Sequence, residues 1–202
     1  MHLHHIIAAG LCAALLGGCA TVSPGPGAAG APAAPIAAYR DHFDTAGRLS
    51  VNYKHNGTPE SLTGKFTWVQ TPSRLDVTLS SPMATIATIT VTPQSATLVQ
   101  ADKAPKVAAD LESLTAASLG WTLPVSGLRD WLQGYATAAD GSRFTASAAA
   151  NTLTTRDGWR LRFVSFQNDA AGKLVPKRID AERDGAGNTE ELAIRIVLDG
   201  QG

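Results

Sequence analysis

LSSPMATIATITV, residues 79–91, alternates apolar and polar side chains on both sides of Pro82-Met83-Ala84. Successive residues of a strand face opposite sides of a sheet, so a period of two predicts a strand in each flank. Proline lacks the N–H that a central strand needs, which makes the middle a turn and the whole a β-hairpin. One residue is out of keeping. Turn residues are usually polar or small because their backbone faces water, yet a methionine, Met83, stands at the tip.

The same period continues on either side. Phe43, Thr45, Gly47, Leu49, Val51 and Tyr53 share one face, and Asp44, Ala46, Arg48, Ser50, Asn52 and Lys54 share the other. Asn56-Gly57 is a turn signal. Leu62, Gly64, Phe66 and Trp68 then mark one face of a second strand, and Leu75, Val77 and Leu79 one face of a third. Ile86–Thr92 and Ala96–Gln100 add two more, divided by Pro93-Gln94. Five consecutive strands with short connections predict an antiparallel meander.

The period then changes. Leu111 and Leu114, with Ala117 and Ser118 on the same side, predict a helix over Val107–Leu119 ended by Gly120. A second short helix is expected where Ser126 can cap, Leu128, Trp131 and Leu132 form one face, and Gly134 ends the run. Strands return with Trp159, Leu161 and Phe163, with Ile179 and Ala181, and with Leu192, Ile194, Ile196 and Leu198. The predicted class is mainly β with central helices (α+β), one broad antiparallel sheet curling around two apolar-faced helices. Such a layout either fills its core or leaves a gap. Leu, Val, Phe and Trp dominate the inward set, so a ligand in any gap would be apolar.

Composition narrows the function classes. Lys+Arg and Asp+Glu are both 17, so the formal net charge is zero, against the basic excess usual in nucleic-acid binders. Charged residues are 17%, below the usual quarter. No Gly-x-Ser-x-Gly elbow, Walker-type loop or dinucleotide fingerprint occurs, and no enzyme or cofactor is expected. His42 and His55 are too few and too isolated for a histidine metal site.

The front end has its own signal. Ile6–Leu16 is an apolar run of signal-peptide length, too short to span a bilayer. Leu16-Gly17-Gly18-Cys19 follows and resembles the lipobox of bacterial lipoproteins, in which the cysteine thiol receives a diacylglycerol and becomes the new N-terminus. The n-region departs from that pattern in having no Lys or Arg. Cys19 would be the only cysteine of the mature chain, so the domain must hold together by its core. Residues 20–38 are Pro-, Gly- and Ala-rich without periodicity and read as a tether reaching on the order of 50–60 Å. The expected organisation is a signal peptide over 1–18, a lipid-anchored tether over 19–38 and one domain over 39–202.

The order of segments resembles the LolB family of outer-membrane lipoprotein receptors. The resemblance rests on Gly47-Arg48-Leu49-Ser50-Val51, Phe66-Thr67-Trp68-Val69-Gln70, Leu79-Ser80-Ser81-Pro82-Met83-Ala84, Leu119-Gly120-Trp121-Thr122-Leu123-Pro124-Val125 and Leu128-Arg129-Asp130-Trp131-Leu132-Gln133-Gly134, with Trp159–Phe166, Pro176–Ile179 and the lipobox. It implies an unclosed antiparallel β-barrel closed by short helices, similar to LolA and LolB. It implies a monomer, anchored to the outer membrane and facing the periplasm, that accepts the acyl chains of client lipoproteins from a LolA-like carrier. It also implies that Pro82-Met83-Ala84 is a membrane-insertion loop with Met83 as its apolar tip; family members often carry Leu-Gly where this chain has Met83-Ala84. Ala20 after the cysteine fits the pattern that sends lipoproteins to the outer membrane. The expected lining of an acyl cavity, or its immediate support, is Phe66, Trp68, Leu75, Val77, Leu79, Leu128, Trp131 and Phe163. The alternative is a structural or assembly lipoprotein with a filled core.

Overall fold

A computed structural model describes residues 34–119, 124–186 and 189–200. The signal-like segment, Cys19, most of the expected tether and Gly120 lie outside the described residues. The elements run β1 (Phe43–His55), β2 (Thr58–Gln70), β3 (Leu75–Ser80), β4 (Thr85–Val91), β5 (Ala96–Gln100), β6 (Lys106–Ala108), α1 (Leu111–Leu119), α2 (Val125–Trp131), β7 (Tyr135–Thr137), β8 (Arg143–Thr145), β9 (Thr152–Thr154), β10 (Arg160–Asn168), β11 (Leu174–Ala186) and β12 (Thr189–Leu198).

Ten strands form one antiparallel sheet in the order β6-β5-β4-β3-β2-β1-β12-β11-β10-β9, and β7 pairs with β8 alone. The chain therefore enters at the middle of the sheet and winds outward to β6. It then crosses through the helices and the β7–β8 hairpin, and winds back from β9 until β12 lies beside β1. The two edge strands, β6 and β9, do not pair with each other, so the barrel is unclosed.

The period-two faces fall where the sequence puts them. Phe43, Val51, Phe66, Trp68, Leu75, Val77, Leu161, Phe163, Ile179, Ile194 and Ile196 are buried, while Arg48, Asn52, Lys65 and Arg162 between them are exposed. Asn56 and Gly57 take φ values of 50° and 76°, and His55 pairs directly with Thr58. Positive φ at both central residues is what a tight primed turn needs between right-twisted strands, and Asn-Gly supplies it at least strain.

Two local readings are corrected. Val107 and Ala108, expected at the start of the first helix, belong instead to β6 (Lys106–Ala108) paired with Ala96–Leu98, and α1 begins only after Asp110. Asp110 is the reason: its carboxylate accepts from the Ser113 N–H at 2.7 Å, a cap that fixes the helix start there. Ser126 does not cap α2. Pro124 occupies the cap without a side-chain hydrogen bond, and the Ser126 hydroxyl donates to Glu112 Oε1 of α1 at 3.2 Å. Gly134 does end the run, with φ +85° and its N–H on Trp131 O at 3.0 Å.

Candidate functional site

The helices lie against the inward face of the sheet. Leu111 from α1 and Val125, Leu128 and Leu132 from α2 and its end face Leu49, Phe66, Trp68, Val77, Leu79, Ile89 and Ile196 across a small gap. Every lining side chain is apolar except for the Trp68 indole N–H, which is already bonded to Gln70 Oε1 at 3.1 Å. The Gln70 amide in turn donates to Tyr39 Oη at 3.4 Å. The gap measures about 40 Å³, room for a few waters and well short of the roughly 300–1,000 Å³ of a ligand pocket. Gly47 keeps the strands close here: a Cβ at that position would meet the Val197 carbonyl and lie 3.0 Å from the Phe66 ring.

Of the eight expected lining residues, Phe66, Trp68, Val77, Leu79 and Leu128 meet at the gap. Leu75, Trp131 and Phe163 are buried elsewhere in the same core. Trp131 meets Trp159 edge-on with centroids 5.8 Å apart, and Phe163 stacks on Phe144 at 6.0 Å. Leu49, Ile89, Leu111, Val125, Leu132 and Ile196 complete the lining. Leu49, Ile89 and Ile196 stand on alternating faces already legible as inward; what the sequence lacks is the register that brings β12 beside β1, with Leu49 opposite Ile196.

The far end of α2 is tied to the chain that precedes β1. Gln133, buried, accepts from the Arg40 N–H at 2.8 Å and donates to the Arg40 carbonyl at 3.0 Å. Tyr135 Oη donates to the Ala37 carbonyl at 2.8 Å, and the Ala37 N–H donates to Leu174 O at 2.7 Å. Tyr39 and Tyr135 meet edge to face at 5.8 Å, with the Arg143 guanidinium over both rings at 5.4 and 5.0 Å. Arg143 also lies 3.5 Å from Asp130, whose carboxyl burial pushes up and Arg143 partly brings back down. The backbone is thus fixed to the sheet from Pro35, ahead of the expected domain start at Tyr39.

The turn between β3 and β4 is the other feature. Pro82, Met83 and Ala84 are exposed, and Met83 is 96% exposed, the most open of the large apolar side chains among the described residues. Ser81 builds the turn. Its N–H reaches Ala84 O at 2.8 Å, and its Oγ accepts from the Ala84 N–H at 3.2 Å. No residue of the turn has positive φ, so alanine at position 84 carries no strain there.

Among the described residues no helix is long and apolar enough to cross a membrane, and no cluster of His, Cys, Asp or Glu is placed to hold a metal. A family model described as "Outer membrane lipoprotein LolB" matches residues 41–200. The chain belongs to the LolB family. An outer-membrane lipoprotein LolB of Cupriavidus necator is 37% identical over 187 residues, 92% of this chain and 90% of the relative. A LolB of Ralstonia nicotianae is 33% identical over 200 residues, 94% and 93% of the two chains. Among solved structures, a LolA superfamily protein of Nitrosomonas europaea aligns at a TM-score of 0.42 and 8% identity, over 80% of this chain and 89% of that one. LolB membership agrees with the motifs and their order, and the unclosed antiparallel sheet with two short helices is the fold expected from them.

Proposed function

We propose that the protein is an outer-membrane-anchored receptor that takes the acyl chains of client lipoproteins from a LolA-like periplasmic carrier and delivers them to the membrane. The supporting observation is the wholly apolar seam between α1, α2 and the sheet, continuous with the buried core. Each methylene kept from water contributes about 0.8 kcal/mol, so acyl chains need such a shelter at every step of a transfer. The seam is narrow as it stands. Loading therefore moves α1 and α2 off Phe66, Val77 and Leu79, opening apolar surface to apolar cargo. Cys19 is the acylated anchor in this reading, residues 20–34 are the tether, and Met83 is the tip that meets the bilayer.

The small volume of the gap favours a second reading, an assembly lipoprotein with a filled core. Titration with a fluorescent fatty-acid probe, repeated with Leu79→Asp, decides between them. A carboxylate at Leu79 would sit among apolar groups at a cost of several kcal/mol unless protonated, so the receptor reading expects lost probe binding in a variant whose melting is checked alongside. Absence of saturable binding to the unaltered protein supports the filled core. A folded variant with unchanged affinity removes Leu79 from the lining.

A further inference from the structure

We infer that the face of the sheet turned away from the helices is a docking field for anionic phospholipid headgroups, contiguous with the Met83 turn. The inference rests on the reading of Met83 as a membrane-facing tip.

The register assembles the field from six strands, β1–β3 and β10–β12. Arg48 of β1 stands opposite Lys65 of β2, and Lys65 opposite Ser80 of β3, three residues before Met83. On the other side Arg48 faces Val197 of β12, which faces Arg178 of β11. The neighbouring row runs Arg162, Asp180, Arg195 across β10, β11 and β12. Strands lie about 4.8 Å apart, so from β3 to β10 the band is roughly 24 Å long.

Its charge is one-sided. Five cations face one carboxylate in a chain whose formal net charge is zero. Asp180 is shared among Arg178 at 2.7 Å, Arg195 at 3.2 Å and Arg162 at 3.5 Å, leaving a cationic excess even within that cluster. Arg48 and Lys65 make no ion pair among the described residues, and both are exposed. The excess is confined to these two rows: elsewhere on this face Arg160 pairs with Asp184, Arg74 with Asp76 and Lys54 with Glu191, and the exposed carboxylates Asp44 and Glu182 stand outside the band.

The floor of the field selects the partner. Beside the cations stand Ser50, Thr63 and Ser80, short hydroxyl side chains in the same rows. A specific protein partner needs a dry apolar centre with a polar rim. A shallow basic field ending at an exposed apolar side chain instead matches a bilayer surface, where phosphates are mobile and an apolar tip enters beside them.

The test is co-sedimentation of the full chain carrying Cys19→Ala, so that no covalent anchor holds it, with vesicles of phosphatidylcholine alone or with 30 mol% phosphatidylglycerol. Arg48→Gln with Lys65→Gln is compared within that background, and melting is recorded. The expected result is about fivefold weaker binding to the anionic vesicles per cation removed, no change with neutral vesicles, and loss of the difference at 1 M salt, where the screening length falls to about 3 Å. Equal binding of variant and parent to anionic vesicles overturns the proposal. So does slowed uptake from an acidic carrier protein with vesicle binding intact, which makes the field a protein interface. Met83→Glu separates the two readings: if it leaves delivery normal while the double variant still loses anionic binding, the field stands and the tip falls.

Discussion

Gly127 lies directly beneath the indole of Trp131, one helical turn away: a Cβ on Gly127 would come within 2.6 Å of the ring. Glycine inside a helix is normally a liability of up to about 1 kcal/mol against alanine. Here it is the space into which the largest side chain of α2 folds. Trp131 is 2% exposed and blocked behind by Trp159, so the ring has nowhere to retreat. Gly127→Ala is expected to destabilise by about 1–3 kcal/mol, the range for overpacking. Chemical denaturation of Gly127→Ala, Trp131→Phe and the double variant checks it. Coupling between the two sites is expected, because the smaller ring gives the new methyl room.

Met83→Glu separates delivery from capture. The side chain touches little of the fold, and Ser81 holds the turn through the backbone of Ala84. Stability is expected to stay within about 0.5 kcal/mol of the parent, as for ordinary surface changes. On the proposed function, uptake of cargo from the carrier is expected to persist and transfer to liposomes to fail, because a charge is disfavoured at the headgroup–acyl boundary. Normal delivery would reduce Met83 to an incidental surface residue.

Acid stability reports on Asp180. Burial alone would raise its carboxyl, but hydrogen bonds from Arg178 and Arg195 hold it below the usual carboxylate range. A depressed folded value means that its contribution is complete above the unfolded value of about 3.9 and is lost as pH falls through the folded one. Asp180→Asn is expected to lower stability at neutral pH by on the order of 1 kcal/mol and to flatten the decline below about pH 4. Asp130 has the opposite sign. Its burial-raised carboxyl lets the fold gain stability as pH falls toward the unfolded value. Asp130→Asn removes that gain just above about pH 4 and leaves the lower limb unchanged. Denaturation midpoints at stepped pH measure both.

Cys19→Ala is expected to abolish the acylated N-terminus and to leave the signal segment uncut at that site. Mass spectrometry of the N-terminal peptide measures it; a lipid-bearing N-terminal residue in the variant would remove the lipobox assignment.

Long strands were legible and short ones were not. β1, β2 and β3 each place three or more apolar residues at period two, enough for the alternation to stand above chance. β6, β7, β8 and β9 have three residues each, too few to show a period. Val107 read as helical because Leu111 and Leu114 follow it at helical spacing; Asp110, just before Leu111, was the missed start signal. At the gap, the side of each strand could be read but not its neighbours. Gln70 and Gln133 escaped notice because a buried amide looks like any surface amide until its partners, here Tyr39 and Arg40, are brought to it by the fold.

The placement of β12 beside β1 has a consequence for biogenesis. Gly47 pairs with Leu198, so the first strand of the sheet finds one of its two partners only in the last strand to be made. Synthesis proceeds from the N-terminus, and β1 through β5 close on one another through short turns well before that partner emerges. Until it does, β1 shows an open hydrogen-bonding edge with Phe43 and Val51 on its inner face, the kind of surface that seeds wrong pairing between chains. That edge stays open until β12 is made, and loss of β12 would be felt first in the middle of the sheet.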